Sequence, residues 1–263
     1  MSEAIKVPTM AEYLAEGKQP EVLFWVGCAG SFDDRAKKIT KAFVKLLNNA
    51  KVDFAVLGTE ESCTGDPAKR SGNEFLFQMQ AMTNIEVLNG YEVKKIVTAC
   101  PHCFNTIKNE YPGLGGNYEV VHHTQFLKSL LDEGRLKVEG GKFKGKKITF
   151  HDPCYLGRAN GEYEAPRDLL EKLEVELVEM KRCKSRGLCC GAGGAQMFKE
   201  PEPGHTDVNI ERTEEALEIK PAVIAAACPF CNTMMTDGVK AKNEEENVAV
   251  MDVAEMIAQA EDL

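Results

Sequence analysis

Apolar residues fall along this chain in two patterns. Short, mostly unbroken runs at 22–26, 95–99, 148–151 and 222–227 lack polar alternation, as strands buried on both faces require. Elsewhere apolar residues step at helical spacing. Ala36, Ile39, Phe43 and Leu46 advance by 3, 4 and 3 positions and line one face. Asp33 and Asp34 precede them, where carboxylates suit a first helical turn. Phe75, Met79 and Met82 step in the same way. Residues 52–57 read as a further strand. Residues 118–121 and 248–250 read as short strands, followed by helices over 124–131 and 253–260. Strand and helix therefore alternate, which predicts an α/β fold with a mainly parallel sheet flanked by helices.

The pattern occurs twice. Cys28 and Cys154 lie 126 positions apart, as do Cys63 and Cys189; Cys100 and Cys228, and Cys103 and Cys231, lie 128 apart. Four cysteines thus recur in order with a drift of two, and Cys28 and Cys100, like Cys154 and Cys228, each follow the same kind of apolar run. This is an internal duplication. It predicts a first repeat over 1–133, a Gly- and Lys-rich linker over 134–147, and a second repeat over 148–263.

Composition narrows the chemistry. The chain has 263 residues, 43% of them hydrophobic, enough for one large domain or two ordinary ones. Its net charge is −9, from 32 basic and 41 acidic residues. That balance argues against a nucleic-acid partner and against docking on an anionic membrane. No apolar run reaches the roughly 20 residues of a membrane helix, and the amino terminus lacks the pattern of a signal peptide, so a cytoplasmic protein is expected. Ten cysteines are many for such a compartment, where disulfides are disfavoured. Metal binding or redox chemistry is the reading they support.

Cys100-Pro101-His102-Cys103 and Cys228-Pro229-Phe230-Cys231 each begin where a buried strand ends. Proline suits the first helical position, where its missing N–H costs nothing. Thiols three apart share one face of the first turn, and the free N–H groups there favour thiolate. In Cys189-Cys190-Gly191-Ala192-Gly193-Gly194, adjacent thiols sit in a glycine-rich loop that lets backbone approach a bound group. Two neighbouring thiols fit poorly on one tetrahedral ion but can both serve a multi-iron cluster, which favours iron–sulfur over zinc in the second half.

The pattern Cys154, then Cys189-Cys190-Gly191, then Cys228-Pro229-Phe230-Cys231 resembles the CCG cysteine-rich domain of the B- and D-type heterodisulfide reductase subunits and their relatives. His151-Asp152-Pro153-Cys154 and the tandem arrangement extend the resemblance over nearly the whole chain. It implies that Cys154, Cys189, Cys190, Cys228 and Cys231 hold a non-cubane [4Fe-4S] cluster. The first half departs from the pattern, with Thr64 where a second adjacent cysteine would stand. Its four candidates, Cys28, Cys63, Cys100 and Cys103, suit an ordinary [4Fe-4S] cluster or a tetrahedral zinc. The resemblance implies an electron-transfer oxidoreductase subunit. It would relay electrons from a flavoprotein or ferredoxin-type partner subunit to a quinone or disulfide, and be held at the inner membrane only through that partner. Three alternatives remain: a chain that itself catalyses disulfide reduction at the cluster, an iron–sulfur subunit of the lactate-utilisation or glycerol-3-phosphate dehydrogenase type, and a zinc-stabilised scaffold without redox function.

Other candidates carry less. Cys183 has no counterpart in the first half and reads as a lone thiol. His102 reads as an exposed helix histidine, and His122 and His123 as packing residues. His151 takes the place of Trp25, directly before the cysteine loop, where it can support a bound metal. Arg70 and Arg158 read as surface residues.

Overall fold

The computed structural model describes residues 5–200 and 203–263. The reading of the amino terminus draws partly on residues 1–4, which lie outside the described residues. The chain divides into two compact units, Met1–Lys137 and Val138–Leu263.

The first unit opens with α1 (Met10–Ala15), capped by the Thr9 hydroxyl, which accepts from Glu12 N–H at 3.2 Å. Then follow β1 (Val22–Trp25), α2 (Gly27–Phe32), α3 (Ala36–Asn49), β2 (Phe54–Ala55), α4 (Asp66–Arg70) and α5 (Glu74–Gly90). β3 (Lys95–Thr98), α6 (Pro101–Asn105), β4 (Glu119–His122) and α7 (His123–Asp132) complete it. The second unit runs β5 (Lys147–Phe150), α8 (Glu164–Lys172), β6 (Glu176–Leu177), α9 (Val208–Leu217), β7 (Val223–Ala226), α10 (Pro229–Ala241), β8 (Ala249–Asp252) and α11 (Val253–Ala260).

Each unit has one four-stranded, wholly parallel sheet, ordered β2-β1-β3-β4 and β6-β5-β7-β8. The α/β fold with two similar halves is as the pattern predicts. Even the register repeats: Phe24 pairs with Val97, and Phe150, 126 positions later, pairs with Ala225, 128 after Val97. All four residues of β1 and all four of β7 are buried, which accounts for their unbroken apolar runs. Strand order reverses between β1 and β3, and between β5 and β7. Crossovers leave in opposite directions there, opening a crevice at the carboxyl ends of the two strands.

α3 buries Ala36, Ile39, Phe43 and Leu46 as their spacing predicts, and Phe43 meets Phe24 edge-on at 5.0 Å. Asp33 supplies the expected helix-start contact by accepting from Ala36 N–H at 2.7 Å. α5 is a helix, but the stripe of Phe75, Met79 and Met82 is not its buried face. Those residues are 77%, 52% and 59% exposed, while Phe77, Ala81, Ile85 and Leu88 face the core. The helix is apolar on more than one side, so spacing alone does not select the face that packs. The 134–147 stretch contains a short turn, Gly141–Phe143, in which Phe143 is buried.

Candidate metal centres

In both units the cysteines come from the carboxyl ends of the strands at the crevice. Cys28 follows β1 and Cys100 ends the β3 run; Cys154 follows β5 and Cys228 ends the β7 run. In each unit the paired thiols at the start of α6 or α10 are buried, whereas Cys28, Cys63, Cys154 and Cys189 are half-buried.

In the second unit all five predicted thiols form one connected group. Cys190 Sγ lies 3.3 Å from Cys231 Sγ. Side-chain hydrogen bonds also link Cys154 to Cys189, Cys189 to Cys190, and Cys228 to Cys231. Gly191 N–H donates to Cys189 Sγ at 3.3 Å. Gly191 has φ +89°, and an added Cβ would meet Val208 Cβ at 3.3 Å, so the loop needs glycine there. Donation from Cys154 and Cys190 pulls the Cys189 thiol well down. The Cys154, Cys190 and Cys231 thiols are pushed up, chiefly by those same sulfur–sulfur contacts and then by burial. Sulfurs this crowded cannot all ionise without a cation, and a bound metal would displace their protons. No cysteine is in a disulfide. A set of adjoining free thiols fits a thiophilic metal centre.

In the first unit the four thiols form two linked pairs, Cys28 with Cys63 and Cys100 with Cys103. The pairs are close enough for Cys28 and Cys63 to raise the Cys103 thiol electrostatically. Cys63 is lowered to about 6, mainly by the hydrogen bond from Cys28, with help from Gly65 N–H at 3.5 Å. Gly65 has φ +87°, matching Gly191. Thr64 is buried in the place of Cys190, with its hydroxyl 3.9 Å from Cys103 Sγ. An added Cβ on Gly27 would lie 3.3 Å from that same sulfur. Four thiols with a polar hydroxyl among them fit a four-coordinate metal or a four-ligand cluster.

Polar residues brace both loops. Asp152 accepts from Arg167 through both carboxylate oxygens, at 2.8 and 3.0 Å, and from Lys184 N–H at 2.7 Å. It thereby joins the Cys154 loop to α8 and to the approach to Cys189. Such a bidentate, buried pair holds geometry well, whatever its net contribution to stability. In the first unit Glu61 accepts from Val26 and Gly27 N–H at 2.9 and 2.6 Å, and burial pushes its carboxyl up to about 7.

His151 is buried, and one of its ring nitrogens lies within 4.8 Å of the Cys190 and Cys231 sulfurs. Burial, followed by the nearby Arg212 charge, pushes its pKa down to about 3. His102 is not the exposed residue its helix position suggests. It is buried, with Nδ1 2.9 Å from Asp66 Oδ2, because α6 packs into the unit's interior. Arg70 is half-buried rather than freely solvated, since its guanidinium joins Asp66 and Glu110. Arg158 donates to Gly187 C=O at 2.6 Å. His122 and His123 are buried, with Nε2 of the first 3.2 Å from Nδ1 of the second. No hydrogen bond connects Cys183 to the five-thiol group among the described residues.

Asn84 and Arg212 escape a reading by motif. Asn84 donates to Cys63 C=O at 2.9 Å, and Arg212 Nε–H donates to His151 Nδ1 at 3.0 Å. Asn84 offers one signal, since it stands on the same helical stripe as Phe77, Ala81 and Leu88.

The chain matches the CCG family, described as "Cysteine-rich domain", over residues 22–108 and 148–236. It is 49% identical over 256 residues to "Probable iron-sulfur-binding oxidoreductase FadF" of Bacillus subtilis, covering 97% of this chain and 36% of that protein. It is 48% identical to "EtfAB:quinone oxidoreductase" of Syntrophomonas wolfei, covering 93% and 35%. It is 35% identical to a component of the dihydromethanophenazine:CoB–CoM heterodisulfide reductase of Methanosarcina barkeri, covering 91% and 59%. The chain therefore spans little more than a third of the first two relatives and under two thirds of the other.

Proposed function

The chain belongs to the CCG cysteine-rich domain family, of which it carries two copies, and from that premise we propose that it is an iron–sulfur electron-transfer module of the heterodisulfide-reductase type. Cys154, Cys189, Cys190, Cys228 and Cys231 would hold a [4Fe-4S] cluster of the non-cubane kind. Cys28, Cys63, Cys100 and Cys103 would hold a second centre, a cubane [4Fe-4S] cluster or zinc. The observation that carries this reading is the continuous hydrogen-bonded group of five thiols. One tetrahedral ion has no place for a fifth thiolate, whereas several irons do.

A cluster bound there would supply one-electron chemistry. This chain's own residues would do the rest. The thiols would release their protons to solvent as metal takes their place on sulfur, Gly191 N–H steadies the Cys189 sulfur, and Asp152 with Arg167 fixes the Cys154 loop. The half-buried Cys154 and Cys189 mark the side from which an electron partner would approach.

The likeness to an EtfAB:quinone oxidoreductase and to a heterodisulfide reductase component supports work within an assembly. The donor would be a flavoprotein or ferredoxin-type partner, and the acceptor a quinone or disulfide. The two functional halves would be 1–133 and 148–263, joined by 134–147. No described helix is long and apolar enough to cross a membrane. Placement in the cytoplasm, with attachment to the inner membrane through a partner, follows as part of the proposal.

Anaerobic purification, followed by iron, sulfide and zinc counts and EPR of oxidised and reduced protein, tests the reading. Iron and sulfide in near-equal amounts with a cluster signal are expected. A colourless protein holding only stoichiometric zinc would establish the scaffold alternative instead.

A further inference from the structure

His151 looks at first like a sixth ligand, since a ring nitrogen lies within 4.8 Å of the Cys190 and Cys231 sulfurs. Its surroundings assign it otherwise. Arg212 Nε–H donates to His151 Nδ1 at 3.0 Å. An arginine nitrogen can only donate, so Nδ1 must carry a lone pair. The neutral ring then bears its proton on Nε2. A nitrogen that holds a proton has no lone pair for a metal, but it can donate to a sulfur.

Arg212 itself is fixed. It is fully buried, and NH1 reaches Arg182 C=O at 2.8 Å and Glu215 at 3.0 Å. Glu215 is in turn held by Arg182 through backbone N–H at 2.6 Å and Nε at 2.9 Å. The tautomer of His151 is therefore set by a braced network rather than by one mobile side chain.

The first unit answers the same position differently. Trp25 stands where His151 does, since Cys28 and Cys154 follow each by three residues and the strand registers agree. Its indole N–H is buried and has no hydrogen-bond partner among the described residues. A buried donor left without an acceptor is destabilising, so an acceptor is wanted there. Metal-bound thiolates or sulfides would provide one. The helix residue at the position of Arg212 also differs, and in the first unit it braces the Cys63 loop by donating to Cys63 C=O at 2.9 Å rather than contacting the ring. Counting back 128 from Arg212, the offset that relates Cys228 to Cys100, gives Asn84. The left-handed residues Glu92 and Lys220 just beyond the two helices share that offset. Tryptophan carries its N–H permanently and needs no cation to fix it. Histidine does, and only the unit with histidine has the arginine.

We propose that positions 25 and 151 each present a fixed N–H donor to the metal centre of their unit, and that Arg212 is the positioning residue that keeps His151 a donor and prevents it from becoming a ligand. The inference rests on the cluster assignment above. Removing such a donor lowers a cluster's potential, because hydrogen bonds to sulfur favour the reduced, more negative state.

The test uses the full chain, loaded anaerobically, with His151→Phe, His151→Gln and Arg212→Gln. EPR-monitored redox titration, iron counts and the coupling of exchangeable protons to the cluster are read together. His151→Phe should retain wild-type iron, lose one exchangeable-proton coupling and titrate at lower potential. His151→Gln, which keeps an N–H, should recover most of the shift, and Arg212→Gln should fall between. Loss of iron in both His151→Phe and His151→Gln, with retention in Arg212→Gln, would make His151 a ligand and overturn the proposal. Unchanged potential and couplings in a loaded His151→Phe protein would overturn it as well. Failure of the wild type itself to take up iron would sink the underlying cluster assignment first. Trp25 is the sole tryptophan, so its one indole N–H resonance reports the first unit directly. Its exchange with solvent should slow on loading with either iron or zinc, and an unaltered rate would remove Trp25 from the proposal.

Discussion

Thr64 and Cys190 show how much one side chain can decide. Each follows a cysteine and precedes a glycine at φ +87° or +89°, and each faces the second cysteine of the following helix, Cys103 or Cys231. The glycine φ and its N–H contact to the preceding cysteine's sulfur match at the two places, so the side chain at 64 or 190 sets the number of thiols there. Thr64→Cys should therefore be accommodated, since the swap is close in volume and the hydroxyl has no other hydrogen-bond partner to abandon among the described residues. We expect the first unit's EPR and absorption to move toward those of the second, with less than about 1.5 kcal/mol change in stability. An unchanged first-unit spectrum in iron-loaded Thr64→Cys protein would show that loop detail, rather than thiol count, sets the site. Thr64, Gly65, Cys189 and Cys190 were all legible as a loop motif. The roles of Glu61 and Arg212 were not, because nothing local marks a carboxylate or guanidinium whose partners lie tens of residues away.

Elements matter here for where they end. A parallel strand delivers its last residue to the crevice, and the helix that follows starts there with free N–H groups. That is why Cys-Pro-x-Cys segments at the starts of α6 and α10 reach the sites. α10 must also lie close against α9. An added Cβ on Gly238 would sit 2.0 Å from Thr213 Oγ1 and 3.2 Å from Asn209 C=O, a backbone atom that cannot swing away. Alanine is favoured over glycine in a helix by about 1 kcal/mol, whereas overpacking costs roughly 1–3 kcal/mol or more. The clash should win. Gly238→Ala is expected to destabilise the second unit by about 2 kcal/mol in urea unfolding and to loosen the Cys228/Cys231 turn. A variant as stable as wild type would mean that α9 and α10 can part without cost. Element types were readable from apolar periodicity. The packed face of α5 was not, since a helix with apolar residues on several sides offers more than one stripe, and only its neighbours choose.

At the scale of the whole molecule, two units each gather thiols that repel one another when ionised, so metal and stability should be linked. A centre bound at a hundredfold excess over its Kd adds roughly 2.7 kcal/mol, worth roughly 5–10 °C in unfolding temperature for a domain of this size. Chelation under reducing conditions should lower the unfolding temperature by at least that much, read by calorimetry, and reloading should restore it. Equal unfolding temperatures with and without metal would mean the thiols stand ready in a frame indifferent to what they hold. The amino-acid order by itself determined the duplication, the alternating α/β elements, the parallel sheets and the nine cysteines brought together as four and five. These follow from spacing, and spacing is a local property of a linear chain. Tertiary structure alone decided which ring nitrogen of His151 accepts from Arg212, that His102 lies inside rather than on the surface and Arg70 is tied to Asp66, and that a buried arginine stands behind one site and an asparagine behind the other. Those facts depend on burial and on hydrogen bonds between residues distant in sequence, which exist only once the sheets have closed around them.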